Sequence, residues 1–365
     1  LHEPSMVALT VTAVLIVACP CALALSLPFT FGNTIRVFGR RGFYLKNSQA
    51  VEKLAGIDTI VFDKTGTITH SRPQSVSWEG RELSLAEKAA ARALAGNSTH
   101  PLSVAIYGFL KETAANAAIE EFSEEASRGI SGWVNGKFYR MGSEAFITGE
   151  KTSADNRTAV YVAINDEVAR AFRFTGGYRE GFEEVINRLG GKYDLHVLSG
   201  DNDREKINLL PFFKNEDRLH FNQSPANKLN YIKNLKAQGK KVLMIGDGLN
   251  DAGALQEAEV GISISDDIYT FSPACDAILD SSRFASLERF IRFSKVSVKV
   301  VKSSYVLSLL YNIVGLSFAV TGLLTPLVCA ILMPVSSVTV VAWVTFTVRL
   351  MAGKRLGATV AQTGR

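Results

Sequence analysis

The sequence predicts an α/β domain built on a parallel sheet, interrupted by an inserted α+β domain and anchored by three membrane-spanning helices. Three observations carry this. Residues 5–31, 303–324 and 327–348 are apolar, free of charged side chains, and long enough to cross a bilayer, which takes ~20 residues at the helical rise. Short continuous apolar runs (DTIVFDKTG, DLHVLSGD, KVLMIGDG, EVGISIS) alternate with helical segments and end in polar loops, the pattern of buried parallel strands. Between about residues 72 and 167 the texture changes to alanine-rich helical stretches followed by glycine-rich short strands such as GISGWVNGKFYRMG and TAVYVAIND.

The composition agrees. The chain has 365 residues, 47% of them hydrophobic, and a mean hydropathy of +0.12, between the values of soluble and all-membrane proteins. A net charge of +5 without a basic-aromatic cluster speaks against nucleic acid as a partner. Four cysteines in this length do not make a disulfide framework. Cys19 and Cys21 stand too close for an ordinary bridge, so a reducing, cytosol-facing setting is expected. The chain begins at Leu1, and its first apolar run is too long for a signal peptide. The expectation is a portion whose amino-terminal part is missing.

In chain order, residues 1–41 are expected to form a membrane helix and its cytosolic exit. Pro20 sits inside this helix between Cys19 and Cys21. Proline removes a helical hydrogen bond, and freed carbonyls within a membrane are tolerated only where protein or a cavity satisfies them. The segment is therefore expected to unwind there and bring two thiolates to one ion. Thiolates select soft metals such as Cu(I) and also Zn²⁺. The plain alternative is two small apolar cysteines beside a kink.

Residues 42–71 begin the α/β domain, 72–167 form the insertion, 168–295 complete the α/β domain, and 296–365 form a helix hairpin and tail. Basic residues flank the spans on one side only: Arg36, Arg40, Arg41 and Lys46, then Lys295, Lys299 and Lys302, then Arg349, Lys354 and Arg355. The positive-inside rule places these flanks, and the large insertion, in the cytosol. The hairpin turns near Thr325 and Pro326.

Ligands of parallel sheets bind at the carboxyl ends of strands, and the polar motifs fall there. Asp63, in Phe62-Asp63-Lys64-Thr65-Gly66-Thr67, stands at a strand tip where a carboxylate can attack a phosphoryl group and form an aspartyl phosphate. Lys64 offsets negative charge, and Thr65 and Gly66 supply donors. Gly246-Asp247-Gly248-Leu249-Asn250-Asp251 offers two carboxylates to Mg²⁺, a hard ion that takes few ligands from protein. Ser199-Gly200-Asp201 brings a hydroxyl for a phosphate oxygen, and Pro225-Ala226-Asn227-Lys228 a lysine to clamp phosphoryl charge. Singly each has a dull reading as a turn, a cap or a solvated lysine. Four in this order, three of them at strand ends, make that reading improbable.

Taken together, DKTGT, SGD, PxxK and GDGxND resemble the P-type ATPases, whose phosphorylation domain is haloacid-dehalogenase-like. Simple phosphatases of that superfamily carry a second Asp two residues after the nucleophile, and here that place is Thr65, which favours a persistent phosphoenzyme. The resemblance implies Asp63, Lys64, Thr65, Ser199, Gly200, Asp201, Lys228, Asn250 and Asp251 as catalytic residues. It implies Asp63, Thr65 and Asp247 as Mg²⁺ ligands. The insertion resembles the nucleotide-binding domain of the heavy-metal class. That implies His100 and Pro101 at the adenine end of ATP, and Gly129, Gly132 and Gly142 where backbone approaches the nucleotide. Departures are Ser127 where the family has the first glycine of GxG, Ala95 for a glutamate, Gly253 for a proline and Gly176 for the hinge aspartate ahead of Arg179.

Cys-Pro-Cys in the helix before DKTGT resembles the heavy-metal P-type pumps. None of the spans holds an Asp, Glu or Lys, whereas Tyr311-Asn312 and Met333-Pro334-Val335-Ser336-Ser337 resemble stretches of the copper(I) subclass. The resemblance implies Cys19, Cys21, Tyr311, Asn312, Met333 and Ser337 as ligands of transported Cu⁺. The expectation is the carboxyl-terminal portion of a Cu(I)-exporting P-type ATPase, using ATP and Mg²⁺, embedded in lipid and served by a cytosolic copper chaperone, in a bacterial inner membrane. A Zn²⁺/Cd²⁺ pump and a non-pumping metal- or nucleotide-binding membrane fragment are the alternatives. Thr148-Gly149-Glu150 matches the letters of the family's actuator loop but lies inside the nucleotide-binding region. Poor turnover after phosphorylation is therefore expected.

Overall fold

The computed structural model describes residues 4–69, 75–113, 117–125, 128–149, 158–175, 177–201, 203–248, 250–266 and 274–356. The expected junction at 71/72, and the expectations for Ser127, Glu150, Gly176 and Leu249, lie outside the described residues. The chain divides into two units: Leu1–Asp63, Glu180–Gly200 and Leu210–Arg365 form the first, and Lys64–Arg179 with Asp201–Leu209 the second.

The first unit begins with α1 (Pro4–Val17) and α2 (Cys21–Gly39). The predicted break falls where Pro20 ends one helix and opens the next. β1 (Phe43–Leu45), α3 (Ser48–Gly56) and the wholly buried β2 (Thr59–Asp63) follow.

The second unit holds a six-stranded antiparallel sheet. Its elements are β3 (Ser75–Gly80), α4 (Leu85–Gly96), α5 (Pro101–Phe109), β4 (Ile119–Glu125), β5 (Gly129–Val134), β6 (Lys137–Gly142), α6 (Glu144–Thr148), β7 (Ala159–Ile164) and β8 (Glu167–Thr175). The strand order is β3-β8-β7-β6-β5-β4, and α4 and α5 bury Ala90, Leu94 and Ile106 with Ile130, Met141 and Phe172 of the sheet. Ser84 and Glu87 form a capping box at α4, satisfying donors the helix start leaves open. The Arg81 guanidinium, bonded to Glu87, pulls that carboxyl down to about 2.

The chain then returns to the first unit, except that α8 begins in the second, which includes Asp201–Leu209. α7 (Phe182–Gly190), β9 (Asp194–Leu198), α8 (Lys206–Phe213), β10 (Leu219–His220), α9 (Pro225–Ala237), β11 (Val242–Gly246), α10 (Ala252–Glu257), β12 (Val260–Ser265) and β13 (Ala277–Asp280) follow. Buried residues of α7 recur as Phe182, Val185, Ile186 and Leu189, the spacing of one helical face. The sheet runs β1-β13-β12-β11-β2-β9-β10. Every pair is parallel except β1 with β13. β2 therefore lies inside the sheet, its carboxyl end beside those of β9 and β11.

α11 (Leu287–Val320) and α12 (Pro326–Leu356) complete the unit. Both run past their apolar stretches, and Pro334 is accommodated inside α12. The hairpin turn spans 321–325, with Gly322 at φ 75°. Three candidate membrane spans result: Met6–Gly39, Ser281–Val320 and Pro326–Leu356. They expose many large apolar side chains, among them Leu9, Leu15, Leu309, Val320, Ile331 and Phe346, as lipid contact requires. Hydroxyls join the helices: Thr34 Oγ1 donates to Ser297 Oγ at 2.8 Å, Asn33 Nδ2 to Thr345 Oγ1 at 3.1 Å, and Ser26 bonds Ser304. Such contacts supply specificity where hydrophobicity cannot.

One expectation is corrected here. The two cysteines are bridged, Cys19 to Cys21, over a Cα separation of 5.5 Å. Helical geometry would hold them apart, but the unwound turn at Pro20 lets both side chains converge, within the range a bridge needs. That convergence is also what two thiolates need to share an ion.

Candidate active site and metal path

An interior strand, β2, delivers Asp63. β2 is buried along its whole length, and parallel pairing sets Asp63 beside Leu198 and Phe62 beside Ile245. Ser199 thus follows one flanking strand end and Asp247 the other. α9 supplies the cation. Ser224 caps it through the Asn227 N–H at 3.2 Å, with Pro225 at the first helical position, which puts Lys228 in the first turn. Its Nζ donates to Asp63 Oδ1 at 2.5 Å and to Asp251 Oδ1 at 2.7 Å. All three residues are buried.

One ammonium between two buried carboxylates leaves excess negative charge. Burial first, then the Asp251 charge, pushes the Asp63 carboxyl up to about 7, against the pull of Lys228. Burial likewise raises Asp251. Burial works against the Lys228 ammonium, but Asp63 and Asp251 outweigh it and hold it above the ordinary lysine value.

A hard divalent cation fits this site. Asp251 Oδ2 is buried with no hydrogen-bond partner. Asp247 is oriented by Asn250, whose N–H and Nδ2 donate to its two oxygens at 3.3 Å each. Among the described residues no three carboxylate, histidine or cysteine side chains form a ready cage. Mg²⁺ does not need one, because it keeps water and substrate oxygens as ligands. Ser199 is fully buried, and its backbone bonds His220 and Gln223 at 2.8 Å.

The second unit carries the residues after Asp63. Lys64–Ile68 forms a tight turn in which Gly66 takes φ 75°, a conformation open to glycine. Lys64 Nζ pairs with Asp201 at 2.8 Å and Glu205 at 3.3 Å, and the Thr65 hydroxyl donates to Asp201 at 2.7 Å. The buried Arg179 guanidinium holds the turn, donating to the Thr67 carbonyl at 2.8 Å and the Gly66 carbonyl at 2.7 Å. Sequence reasoning placed Arg179 only as a hinge marker and missed Glu205. No spacing signal announces either partnership.

The same unit contains a cavity of about 460 Å³ lined by Thr99, His100, Glu124, Arg128, Gly129 and Gly142, among others. His100 caps α5, its Nδ1 accepting from the Leu102 N–H at 3.2 Å, and Pro101 opens that helix. Gly129 and Gly142 are register partners. A Cβ on Gly129 would meet the Met141 carbonyl oxygen at 2.5 Å, and one on Gly142 would strike the Arg128 carbonyl. These glycines keep the cavity floor at backbone level. Gly132, expected here, instead faces the core: a Cβ there would meet Ile119 at 2.9 Å and Leu94 at 3.1 Å.

The soft-ligand candidates sit on the membrane helices of the first unit. Cys19 and Cys21 flank the α1/α2 break. The Tyr311 hydroxyl crosses from α11 to donate to the Leu332 carbonyl of α12 at 3.1 Å, next to the buried Met333. Asn312 and Ser337 are half-buried. Val17 of α1, two residues before Cys19, packs with Ala319 and Cys329.

The comparisons with known proteins agree with this arrangement. The family model for haloacid dehalogenase-like hydrolases matches residues 57–259. A probable copper-importing P-type ATPase A of Enterococcus hirae is 30% identical over 350 residues, covering 90% of this chain and 47% of that protein. A copper-exporting P-type ATPase of Staphylococcus saprophyticus is 31% identical over 359 residues, 93% of this chain and 44% of that protein. The crystal structure of a zinc-transporting PIB-type ATPase in the E2.Pi state superposes with a TM-score of 0.71 at 24% identity, covering 91% of this chain and 57% of that one, which shows a shared fold. The chain spans about half the length of the curated relatives it matches. It belongs to the haloacid dehalogenase-like hydrolase family, as a homologue of the heavy-metal P-type ATPases within it.

Proposed function

We propose that this chain couples ATP-dependent phosphorylation of Asp63 to the export of Cu(I) from the cytosol. The observation that carries the reading is the buried Asp63–Lys228–Asp251 cluster at the end of β2, in a chain whose first membrane helix breaks at paired cysteines. ATP is held in the cavity of the second unit. An Asp63 oxygen attacks the γ-phosphorus, the bond to the β-phosphate oxygen breaks, ADP leaves, and an aspartyl phosphate remains. Lys228 holds Asp63 in place and offsets charge as the phosphoryl group arrives. Asp251 is bound to the same ammonium and keeps it in register. Asp63, Asp247 and the Thr65 position would hold Mg²⁺, which would supply further charge neutralisation on the phosphates. Thr65, where a simple phosphatase has an acid, leaves the intermediate without a ready proton donor.

Cys19, Cys21 and Met333 form a soft donor set, joined by Tyr311, Asn312 and Ser337, and soft donors favour Cu(I). The named relatives are a probable copper importer and a copper exporter. The direction is taken as export because the break that holds Cys19 and Cys21, once reduced, opens the helix that runs directly into the basic flank at Arg36, Arg40 and Arg41. The domains between the spans face the cytosol on the same charge argument, and a cytosolic copper chaperone is the matching source of the ion.

The test is acid-stable labelling of the reduced, membrane-embedded chain by γ-labelled ATP, with Cu(I) or Zn²⁺ added. Labelling that requires Cu(I), Cys19 and Asp63, and is lost in Cys19→Ala and Asp63→Asn, is the expected result. Labelling driven by Zn²⁺ alone would reassign the metal. Labelling indifferent to metal and to Cys19 would remove the transport reading.

A further inference from the structure

We infer that the arginine-lined pocket beside the ends of α2 and α12 binds a phosphate group, presented by the headgroup of an anionic phospholipid.

The sheet edge builds this pocket. β1 pairs with β13, and the Asp280 N–H extends the ladder to the Gly42 carbonyl at 2.8 Å. The turn after α2 is thereby laid against residues 281–286 and the start of α11. Gly42 takes φ 79°, and a Cβ there would meet Arg283 Cγ at 3.0 Å, so the two turns touch. Arg40, Arg41, Arg283 and Arg289 converge on one pocket, together with Phe290 and with Leu356 at the end of α12. Ser286 lines it too, and its side chain makes no capping bond to α11.

Guanidinium groups gathered in this way repel one another unless an anion joins them. Burial first, then Arg40, pushes the Arg41 guanidinium below the ordinary arginine value. The neighbouring carboxylates serve elsewhere. Asp280 Oδ1 accepts from the Ser282 N–H at 2.9 Å and the Ser282 hydroxyl at 2.7 Å, and Glu288 pairs with Lys192 at 3.1 Å. Among the described residues, no carboxylate stands within ion-pair distance of Arg40, Arg283 or Arg289. Guanidinium forks match phosphate oxygens in pairs. The pocket volume is about 50 Å³, far below the ~300–1,000 Å³ of sites that enclose whole small molecules. It suits one phosphate group whose remainder lies outside.

The helices place that remainder. Arg36 is the first charged residue of α2, and Arg349 the first of α12. At ~1.5 Å per residue they stand ~6 Å from Arg40 and ~10 Å from Leu356, while a headgroup layer is ~5–8 Å deep. Long arginine side chains cover the difference. Arg36 lies one helical turn from Arg40 and continues the basic surface toward the bilayer. Basic pockets between membrane helices take anionic headgroups on these grounds. A bound phosphate would tie the ends of α2 and α12 to the start of α11.

The experiment places the full chain in nanodiscs of phosphatidylcholine, or of phosphatidylcholine mixed with phosphatidylglycerol. Native mass spectrometry counts the lipids retained, and the melting temperature is the second readout. The wild type is expected to retain phosphatidylglycerol over phosphatidylcholine by at least ~10-fold, the pull of several arginines near a charged surface, and to melt higher in the mixture. Arg40→Gln, Arg283→Gln and Arg289→Gln together should abolish both effects. Arg292→Gln, Lys299→Gln and Lys302→Gln remove equal charge from exposed positions of α11 outside the pocket and should leave most of the preference. Melting in phosphatidylcholine alone reports folding of each variant, and Arg289→Gln by itself, at an exposed position, should still lower the preference severalfold. Equal losses in the two triple variants would make the attraction a diffuse field, and a wild type indifferent to phosphatidylglycerol would remove the ligand. Both results overturn the inference. Inorganic phosphate added in phosphatidylcholine is the third arm. If it raises the wild-type melting temperature as far as phosphatidylglycerol does, and leaves the Arg40, Arg283 and Arg289 variant unmoved, the pocket takes free phosphate and the lipid source is overturned.

Discussion

Replacing Lys228 by methionine tests how the nucleophile is prepared. The substitution preserves side-chain length and removes an ammonium that stands 2.5 Å from Asp63 and 2.7 Å from Asp251. With Lys228 present, the Asp63 carboxyl is already pushed up to about 7, by burial first, so about half of it is ionised at neutral pH. An adjacent cation typically lowers a carboxyl by ~1–3 pH units. Its loss should raise Asp63 by a similar amount and cut the ionised fraction at pH 7 by roughly five- to five-hundred-fold. Only the ionised form attacks phosphorus. Initial rates of acid-stable labelling from γ-labelled ATP, followed from pH 6.5 to 9, should fall by that factor at pH 7. The variant should then recover about tenfold per pH unit, while the wild type levels off near its own value. Nucleotide binding, which the proposed function assigns to the other unit, should be unchanged and serves as the control for folding. A Lys228→Met chain that labels as fast as wild type at pH 7, with the same pH profile, would refute the charge argument.

Three further outcomes are expected. Gly142→Ala should weaken ATP binding at least tenfold in a displacement assay and lower the melting temperature, because its Cβ strikes the Arg128 carbonyl and approaches the Gly129 Cα at 2.7 Å. His196 is pushed down to about 4, by burial first and then by His220 and Lys240. The unfolded chain therefore binds the extra proton first, so this contribution is complete above about pH 6.5 and is lost as pH falls toward 4; allowing for solvent screening it amounts to about 1 kcal/mol by pH 5, and His196→Asn should flatten the fall in thermal stability over that window. Phe290→Ala should cost about 3–5 kcal/mol in chemical unfolding, since that ring is buried against Phe38 at 5.2 Å and Phe43 at 4.9 Å.

What the sequence disclosed and what it withheld follow from the range of each interaction. The strands ending at Asp63 and Gly246 were legible because a strand buried on both faces must be apolar throughout, and a polar residue at its tip then stands out. The helix break at Pro20 was legible because proline removes a backbone donor wherever it lies. Lys228 was singled out by its motif, but its bond to Asp251 joins residues 23 apart and depends on the angle at which α9 meets the sheet. Gly132 was placed at the cavity because glycine serves two purposes with one letter: a backbone-level cavity lining at Gly129 and Gly142, and room for Leu94 and Ile119 at Gly132. The Cys19–Cys21 bridge was judged too short on sequence separation alone, a measure that fails once the helix unwinds.

The way the sheet edge meets the membrane bears on how phosphorylation could reach the metal. β1 follows α2 after a short turn at Arg40–Gly42, and β13 leads through residues 281–286 into α11. These two strands pair antiparallel, Phe43 opposite Leu279 and Leu45 opposite Ala277. The helix that starts at Cys21 and the helix that carries Tyr311 and Asn312 are therefore bonded together at one edge of the sheet whose interior strand β2 ends at Asp63. Phe38, Phe43, Phe290 and Phe293 fill that joint, with ring centroids 4.9 to 5.7 Å apart. A close-packed aromatic joint has few alternative arrangements and transmits displacement rather than absorbing it. Loosening it with Phe290→Ala should thus do more than destabilise. Under the proposed function, labelling of Asp63 should persist while its dependence on Cu(I) weakens, because the lost element is the connection between two intact sites. A variant that loses labelling and metal dependence in proportion would show that the joint serves folding alone.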